Sequence, residues 1–453
     1  MADYQSLREE QQRELGSLIP EHMQRLRWNA EQVAKEQERA LRELVTTAKA
    51  RSPWYAARLA SVDHHRLRLS DLPTIPSMTK DELMSNFDGA VTDPRLSLDV
   101  VESFLDGLED DSYLLDDFHA VASGGSSGRR GVFVYDWYGW IRAFLSMQRW
   151  RLSHLASLGI GRDAVRAVVA GGKATHMSFA MARSFGGNTN VVPVPASLPL
   201  AEIVERLNDV RPVILSGYPS MVAALAHEQA AGRLKIGPQV VWCASEPLAG
   251  EMRELISEVW GVPLINSYAT SEGAFASDCG AGRGLHLSED MCIFEPVDET
   301  GRPVAPGQRA TKMYITPLYN LAQPLIRYEM TDEITLLEDV CSCGSGMRLI
   351  DDIGGRSDDM FRYDGVVVHP MAFRSPLGRR RNIVEYQVVQ TQAGADVAIR
   401  TQGDIDLTDL QRTIESELAR LGLPKPEVTI RQVESLDRQG TGKLRRFVPM
   451  PSP

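Results

Sequence analysis

What the sequence is short of narrows it first. Five cysteines in 453 residues are too few for a disulfide framework in a chain this long, so no oxidising compartment is implied. No apolar run approaches the roughly 18 residues of a membrane span, which excludes a transmembrane helix. The N-terminus, Met-Ala-Asp-Tyr-Gln, turns polar and charged at once and lacks the pattern of a secretory signal. From these we expect a cytoplasmic protein with no membrane partner. Positive charge is also scarce: 49 Lys plus Arg against 60 Asp plus Glu leave −11, so nucleic acid is not the expected partner of the body. No internal repeat or low-complexity tract is present.

What remains is an ordinary globular composition, 43% hydrophobic and 24% charged, in a chain too long for one hydrophobic core. Residues 4–50 read as long amphipathic helices that Pro53 stops. These helices are long enough to meet a partner, so a homodimer is the assembly to consider. From about 120 to 270, apolar runs at 165–170, 213–215 and 240–243 alternate with helical patterns at 220–231 and 248–260. That alternation predicts a doubly wound α/β body. Runs at 312–315 and 334–337 predict a β-rich subdomain, and Gly354-Gly355 marks a break. Beyond it, strands at 365–368, 383–389 and 396–400 and a helix at 406–421 predict a small α+β domain. From Asp359 onward there are 14 Lys plus Arg against 12 Asp plus Glu, a mildly basic module on an acidic body. That suits an anionic small molecule held between them, and chance explains it equally well.

Two motifs carry chemistry. Ser123-Gly-Gly-Ser-Ser-Gly-Arg-Arg-Gly131 runs directly into the strand-like Val132-Phe-Val-Tyr135. Its glycines let the backbone approach closely, and successive N–H groups with the Ser126 and Ser127 hydroxyls suit phosphate oxygens. Alone it also reads as a flexible linker. It is not a Walker A loop, since no Gly-Lys-Ser/Thr closes it, and Gly171-Gly-Lys-Ala-Thr175 fails the same test at Ala174. The second motif, Asn266-Ser-Tyr-Ala-Thr-Ser-Glu-Gly273, follows the apolar Val262-Pro-Leu-Ile265. Tyr268 suits stacking on a base, Thr270 and Ser271 suit phosphate, and Glu272 suits a magnesium ion.

With these residues in view the chain resembles the adenylate-forming acyl-CoA synthetases. The Ser/Gly loop, including Ser123, Gly125, Ser126, Ser127 and Gly128, is similar to their phosphate loop, and Tyr268–Glu272 to their Tyr-Gly-x-Ser/Thr-Glu motif. Four further matches follow in the family's order. Ala244-Ser-Glu-Pro247 resembles the loop along adenine, which implies nucleotide contacts for Ser245, Glu246 and Pro247. Arg327-Tyr-Glu-Met-Thr-Asp332 resembles the stretch whose Asp binds the ribose hydroxyls. Gly355-Arg-Ser-Asp-Asp-Met360 resembles the interdomain hinge, with Asp358 at the pivot and Arg356 near the ribose. Gly440-Thr-Gly-Lys-Leu-Arg445 resembles the loop of the catalytic lysine, here Lys443. The Ser-Asp-Asp-Met hinge, the Cys341-Ser-Cys-Gly344 turn, Ala50–Tyr55 and Pro76–Lys80 resemble the phenylacetate–CoA ligase branch. Departures are Gly125 and Arg130 in the phosphate loop, Ala269 in a usual glycine position, and Met330 before Thr331-Asp332.

The resemblance implies an adenylation body at 1–357 and a C-terminal lid at 358–453. It implies ATP and magnesium as cofactors, an acyl-adenylate intermediate and coenzyme A as acceptor. Lys443, Glu272 and Thr270 are then the catalytic residues. Tyr135, His176, Tyr218 and Ala244 would wall the acid pocket, where few charges favour an aromatic acid. Arg374 and the run 379–381 suit the 3′-phosphate of coenzyme A, or simply form a solvated face. Separately, Cys279, His286, Cys341 and Cys343 form a candidate structural zinc set, against the alternative of reduced, partly buried thiols. Two other readings stay open: an acceptor that is an amine or a carrier protein, and a nucleotide-sensing protein without catalysis.

Overall fold

The computed structural model describes residues 4–450 apart from 124–129, 162, 172–173, 187–189, 282–283, 352, 357–358, 381 and 439–442, with the side chains of 356 and 371 also outside the description. The chain forms two compact units. The first comprises Met1–Ala164, Lys173–Val191 and Ile265–Ile353, and the second Val165–Gly172, Val192–Leu264 and Gly354–Pro453.

In the first unit, two helices, Tyr4–Arg25 and Ala30–Arg51, lead the chain as the sequence predicts. Asn29 starts the second with a reciprocal cap: its side chain accepts from Gln32 N–H while the Gln32 side chain accepts from Asn29 N–H. Pro53 does not simply stop these helices. It opens the next one, Pro53–Arg58, with Ser52 as N-cap, because the first helical turn needs no donor from that position. Both long helices pack on their own chain: Gln11 Nε2 donates to Trp137 O, and Gln37 Nε2 donates to Glu289 O.

Strands Phe118–Ala122 and Val132–Asp136 form an antiparallel hairpin, and Asp136 caps helix Trp137–Ser157 by accepting from Gly139 N–H at 2.6 Å. Strands Leu349–Ile350, Leu285–Leu287, Phe275–Ser277 and Leu264–Ala269 neighbour one another in that order. A three-stranded antiparallel sheet places Lys312–Pro317 between Cys292–Val297 and Tyr328–Met330, the β-rich part expected after 290.

The second unit contains the doubly wound element. Strands Val240–Ala244, Ile214–Gly217 and Arg166–Ala170 pair in parallel with Val191–Pro195 at the edge. Helices Leu200–Val210, Pro219–Ala230 and Gly250–Trp260 connect them. Their apolar faces share one core with the strands, built around Leu215, Val222, Val241 and Ile256. The C-terminal part sets Glu427–Gln432, Gly394–Thr401, Ile383–Gln390 and Phe447–Val448 in one sheet. Helix Leu407–Arg420 buries Leu410, Ile414 and Leu418 in the core of this C-terminal part. Helix Met371–Gly378 had no counterpart in the sequence reading, because Pro376 inside it breaks the expected pattern.

Candidate active site

The two nucleotide motifs lie at turns that the strands create. Ser123 and Gly131 close the neck of the Ser/Gly loop at the tip of the first hairpin. Ser123 N–H donates to Gly131 O at 2.8 Å, and Gly131 N–H donates to Ser123 Oγ at 2.9 Å. Gly125, Ser126, Ser127 and Gly128 fall outside the described residues, as do Asp358 and the side chain of Arg356. Ala122 N–H donates to Thr175 O at 2.8 Å, so His176, at the start of helix Met177–Phe185, stands next to a residue bonded beside that neck.

The second motif is a hairpin turn. Ser267, Tyr268 and Ala269 pair with Ser277, Ala276 and Phe275. Between them Gly273 N–H donates to Thr270 O, and Ala274 N–H donates to Thr270 Oγ1, both at 3.2 Å. Thr270 therefore builds the turn with its own hydroxyl, as Ser and Thr do where backbone donors are left over. Gly273 has φ +96°, and a Cβ there would lie 2.6 Å from Tyr319 Oη, so conformation and space both demand glycine.

Two buried tyrosines hold this turn from below. Tyr135 Oη donates to Ser271 O at 2.6 Å, and Tyr319 Oη donates to Gly273 O at 2.9 Å. Burial pushes both phenols well above their ordinary range, with the Glu272 charge adding to the effect on Tyr135, so both stay neutral donors. Tyr135 supports the turn from beneath and is only 1% exposed. Tyr268 Oη donates to Asp332 Oδ2 at 2.9 Å, joining two motifs far apart in the chain.

Three supports were not singled out from the sequence: Tyr319, Asn320 and Gln323. Asn320 Nδ2 donates to Val134 O at 2.8 Å. Gln323 Oε1 accepts from Val134 N–H at 2.8 Å, and its Nε2 donates to Val132 O at 3.2 Å. Together they clamp the strand that leaves the Ser/Gly loop. Their signal was present as Tyr, Asn and Gln in the apolar run Pro317–Ile326. Arg327 also has a structural part. At φ +53° it packs over the Tyr314 ring, and its guanidinium reaches Glu295 and Ile75 O.

In the second unit, Ser245, Glu246, Tyr218, Ala244 and Lys443 come together. Strand Val240–Ala244 is followed by Ser245, which takes φ +70°, a strained conformation for a residue with a Cβ. Glu246 Oε2 accepts from Ser220 N–H and Oε1 from Leu444 N–H, both at 3.2 Å. Tyr218 Oη accepts from Gly171 N–H at 2.7 Å, and burial pushes its phenol up to about 12. Lys443 Nζ lies 5.5 Å from the Tyr218 ring centre, a cation over an aromatic face. Pro247 is half-buried in the same loop.

The Cys/His cluster belongs to the first unit. Leu349 pairs with His286, which brings the turn Cys341–Gly344 beside the loop of Cys279. The four donor atoms lie within 4.8 Å of one another. Cys279 Sγ is 3.5 Å from Cys341 Sγ, and Cys343 Sγ is 3.3 Å from His286 Nε2. A tetrahedral zinc with bonds of about 2.0–2.3 Å requires donors spaced in this way. Met347 O, 2.9 Å from His286 Nδ1, suits a proton on Nδ1 and a lone pair on Nε2. Burial pushes the Cys279 thiol up to about 12, raises Cys343 and lowers His286. Donor chemistry and spacing both fit zinc. The turn also anchors the helical corner: Gly346 N–H donates to Trp28 O at 2.8 Å, and a Cβ on Gly346 would strike the Asn29 backbone.

No family model matches the chain. Among known proteins it is similar to phenylacetate–coenzyme A ligases. It is 28% identical over 239 residues to that of Thermus thermophilus, 51% of each chain. It is 34% identical over 131 residues to that of Escherichia coli, 28% of this chain and 29% of that one. Protein CapK of Staphylococcus aureus is 21% identical over 366 residues, 78% of this chain and 74% of that one. The chain spans about half the length of the Thermus ligase it matches. Among solved structures, 2-hydroxyisobutyryl-CoA ligase in the postadenylation state with 2-HIB-AMP gives a TM-score of 0.72 at 18% identity, covering 94% of this chain and 91% of that one. ATP-bound MatB from Rhodopseudomonas palustris gives 0.51 at 16% identity, covering 73% and 65%. These likenesses establish the fold of adenylate-forming CoA ligases.

Proposed function

We propose that this relative of the phenylacetate–coenzyme A ligases, with their adenylate-forming fold, activates a carboxylic acid with ATP and passes the acyl group to coenzyme A. The observation that carries the reading is the Tyr268–Asp332 hydrogen bond at 2.9 Å. It unites a ring suited to adenine and a carboxylate suited to ribose hydroxyls beside the Thr270–Gly273 turn, whose hydroxyls suit phosphate. An aromatic acid is the substrate class we favour, following the ligases to which the sequence is similar.

In this reading the acid's carboxylate attacks the α-phosphorus of ATP, and pyrophosphate leaves. Two anions must approach, so the chain supplies charge and donors. Lys443 offsets the charge that builds on the α-phosphate, while Thr270 and Ser271 with the Ser/Gly loop orient phosphate oxygens. Glu272 would hold magnesium, which supplies positive charge to the phosphates. The coenzyme A thiolate then attacks the acyl-adenylate carbonyl and AMP leaves. Rotation of 358–453 about Asp358 separates the two half-reactions by withdrawing Lys443. Cys279, His286, Cys341 and Cys343 would hold zinc with protein at all four positions, which makes it a cross-link for the first unit. The setting we propose is cytoplasmic. Among the described residues no helix is long and apolar enough to cross a membrane.

Pyrophosphate release from Mg-ATP, measured over aryl, cinnamyl and aliphatic acids with and without coenzyme A, tests this reading. Turnover that requires both an acid and coenzyme A is expected. A single-turnover burst that coenzyme A does not extend moves the second step to an amine or a carrier protein. No release with any acid overturns the reading.

A further inference from the structure

We infer that Glu246 is a positioning residue for the lysine segment: its carboxylate bridges Ser220 and Leu444 and so sets where Lys443 stands. The inference rests on the function proposed above for its kinetic consequence, but its structural core does not. In the loop Ala244–Pro247, whose backbone was expected to pack along adenine, both Glu246 carboxylate oxygens accept backbone N–H groups, from Ser220 and Leu444 at 3.2 Å each. Ser220 N–H is one of the donors that the first turn of helix Pro219–Ala230 leaves over. An anion at a helix start is favourable, so the carboxylate is well placed there before it meets the lysine segment.

A second contact holds the other flank of the same segment. Arg438 reaches Ser220 Oγ at 3.4 Å and forms an ion pair with Glu385, which also accepts from Arg400 Nε at 2.8 Å. The residues before and after 439–442 are thus both tied to the start of one helix. Lys443, directly before the bridged Leu444, has its ammonium over the Tyr218 ring. Tyr218 itself is fixed by Gly171 N–H. Charge-assisted hydrogen bonds to backbone N–H are strong enough to select a conformation and weak enough to be broken in a catalytic cycle. A carboxylate that holds the segment through two breakable hydrogen bonds suits a lysine needed in only one half-reaction.

The test uses the full chain and two readouts. Hydrogen exchange needs no substrate: in Glu246→Ala, exchange of the peptide holding the Leu444 amide should rise about tenfold. Peptides from helix Leu407–Arg420 should not change. Glu246→Gln keeps one acceptor oxygen and should give an intermediate rise, which guards against a merely misfolded alanine variant. Unchanged exchange at Leu444 overturns the inference whatever the activity. For the kinetics, the two half-reactions are assayed apart. Adenylate formation should lose about tenfold in kcat with the KM for ATP unchanged, and thioester formation from supplied acyl-adenylate should not fall. A raised KM for ATP at unchanged kcat overturns the inference, because Glu246 would then be contacting nucleotide. If exchange responds while the wild-type chain forms no adenylate from any acid, the bridge stands and the proposed function fails.

Discussion

The turn Thr270–Gly273 and the segment around Lys443 both present groups for one proposed reaction, yet they are held in different ways. The turn is over-determined. Its own hydroxyl, two buried tyrosines and a glycine that no other residue can replace fix it inside a dense core. The described flanks of the lysine segment are tied by polar contacts, Arg438 to Ser220 and Glu385, and Leu444 to Glu246. Rigid packing suits a group that must orient phosphate oxygens to within fractions of an ångström. Polar contacts suit a group that must come and go, because each costs little to break.

The largest effect should come from the lysine side. Lys443→Ala should slow adenylate formation about 10³-fold, by analogy with removal of a charge-stabilising donor, and leave thioester formation from supplied acyl-adenylate intact. Equal loss in both half-reactions would break the comparison, since the lysine would then act as a fixed part of the site. On the rigid side, Gly273→Ala should cost stability as well as activity. A Cβ at φ +96° and 2.6 Å from Tyr319 Oη should lower unfolding free energy by about 2–3 kcal/mol, read from the denaturant midpoint. A variant of normal stability would show that this turn is less fixed than its contacts indicate.

The Cys/His cluster extends the same rigidity to the helical corner at Trp28–Asn29. Cys343→Ser should abolish stoichiometric zinc in metal analysis and lower the unfolding free energy by about 2 kcal/mol, with half-reaction rates per folded molecule little changed. A large rate effect at full stability would make the metal a participant in the chemistry. A last effect concerns pH. Burial, with the Arg25 and Arg149 charges, lowers His22 to about 4. The unfolded imidazole takes up a proton as pH falls through about 6.5 and the folded one only near 4. This group's stabilising effect is therefore full above pH 6.5 and is lost as pH falls toward 4, by up to about 3 kcal/mol if no other group compensates. His22→Gln should flatten the melting temperature over that interval, and an unaltered slope would assign the acid sensitivity elsewhere.

Much of this architecture was legible in the residues. The alternation of 165–170, 213–215 and 240–243 with helical patterns matched strands Arg166–Ala170, Ile214–Gly217 and Val240–Ala244, because buried parallel strands are continuous apolar runs. Cys279, His286, Cys341 and Cys343, grouped from the sequence as a candidate zinc set, lie with their donor atoms within 4.8 Å of one another. Helix Met371–Gly378 was hidden by its internal proline, and the part of Pro53 as a helix start was read as a stop. Proline marks a boundary without saying which side of it is helical.

By itself, then, the sequence determined which groups are available: Tyr268, Glu272, Asp332, Lys443 and the Cys/His set, each recognisable by residue type and local spacing. Only the tertiary structure decided what holds them. Tyr135 and Tyr319 beneath the turn, Asn320 and Gln323 along the strand, and Glu246 on the lysine segment act through contacts between residues far apart in the chain. Such contacts leave no periodicity in sequence. A polar group in an apolar run shows only that some partner must satisfy it, and the fold selects which one.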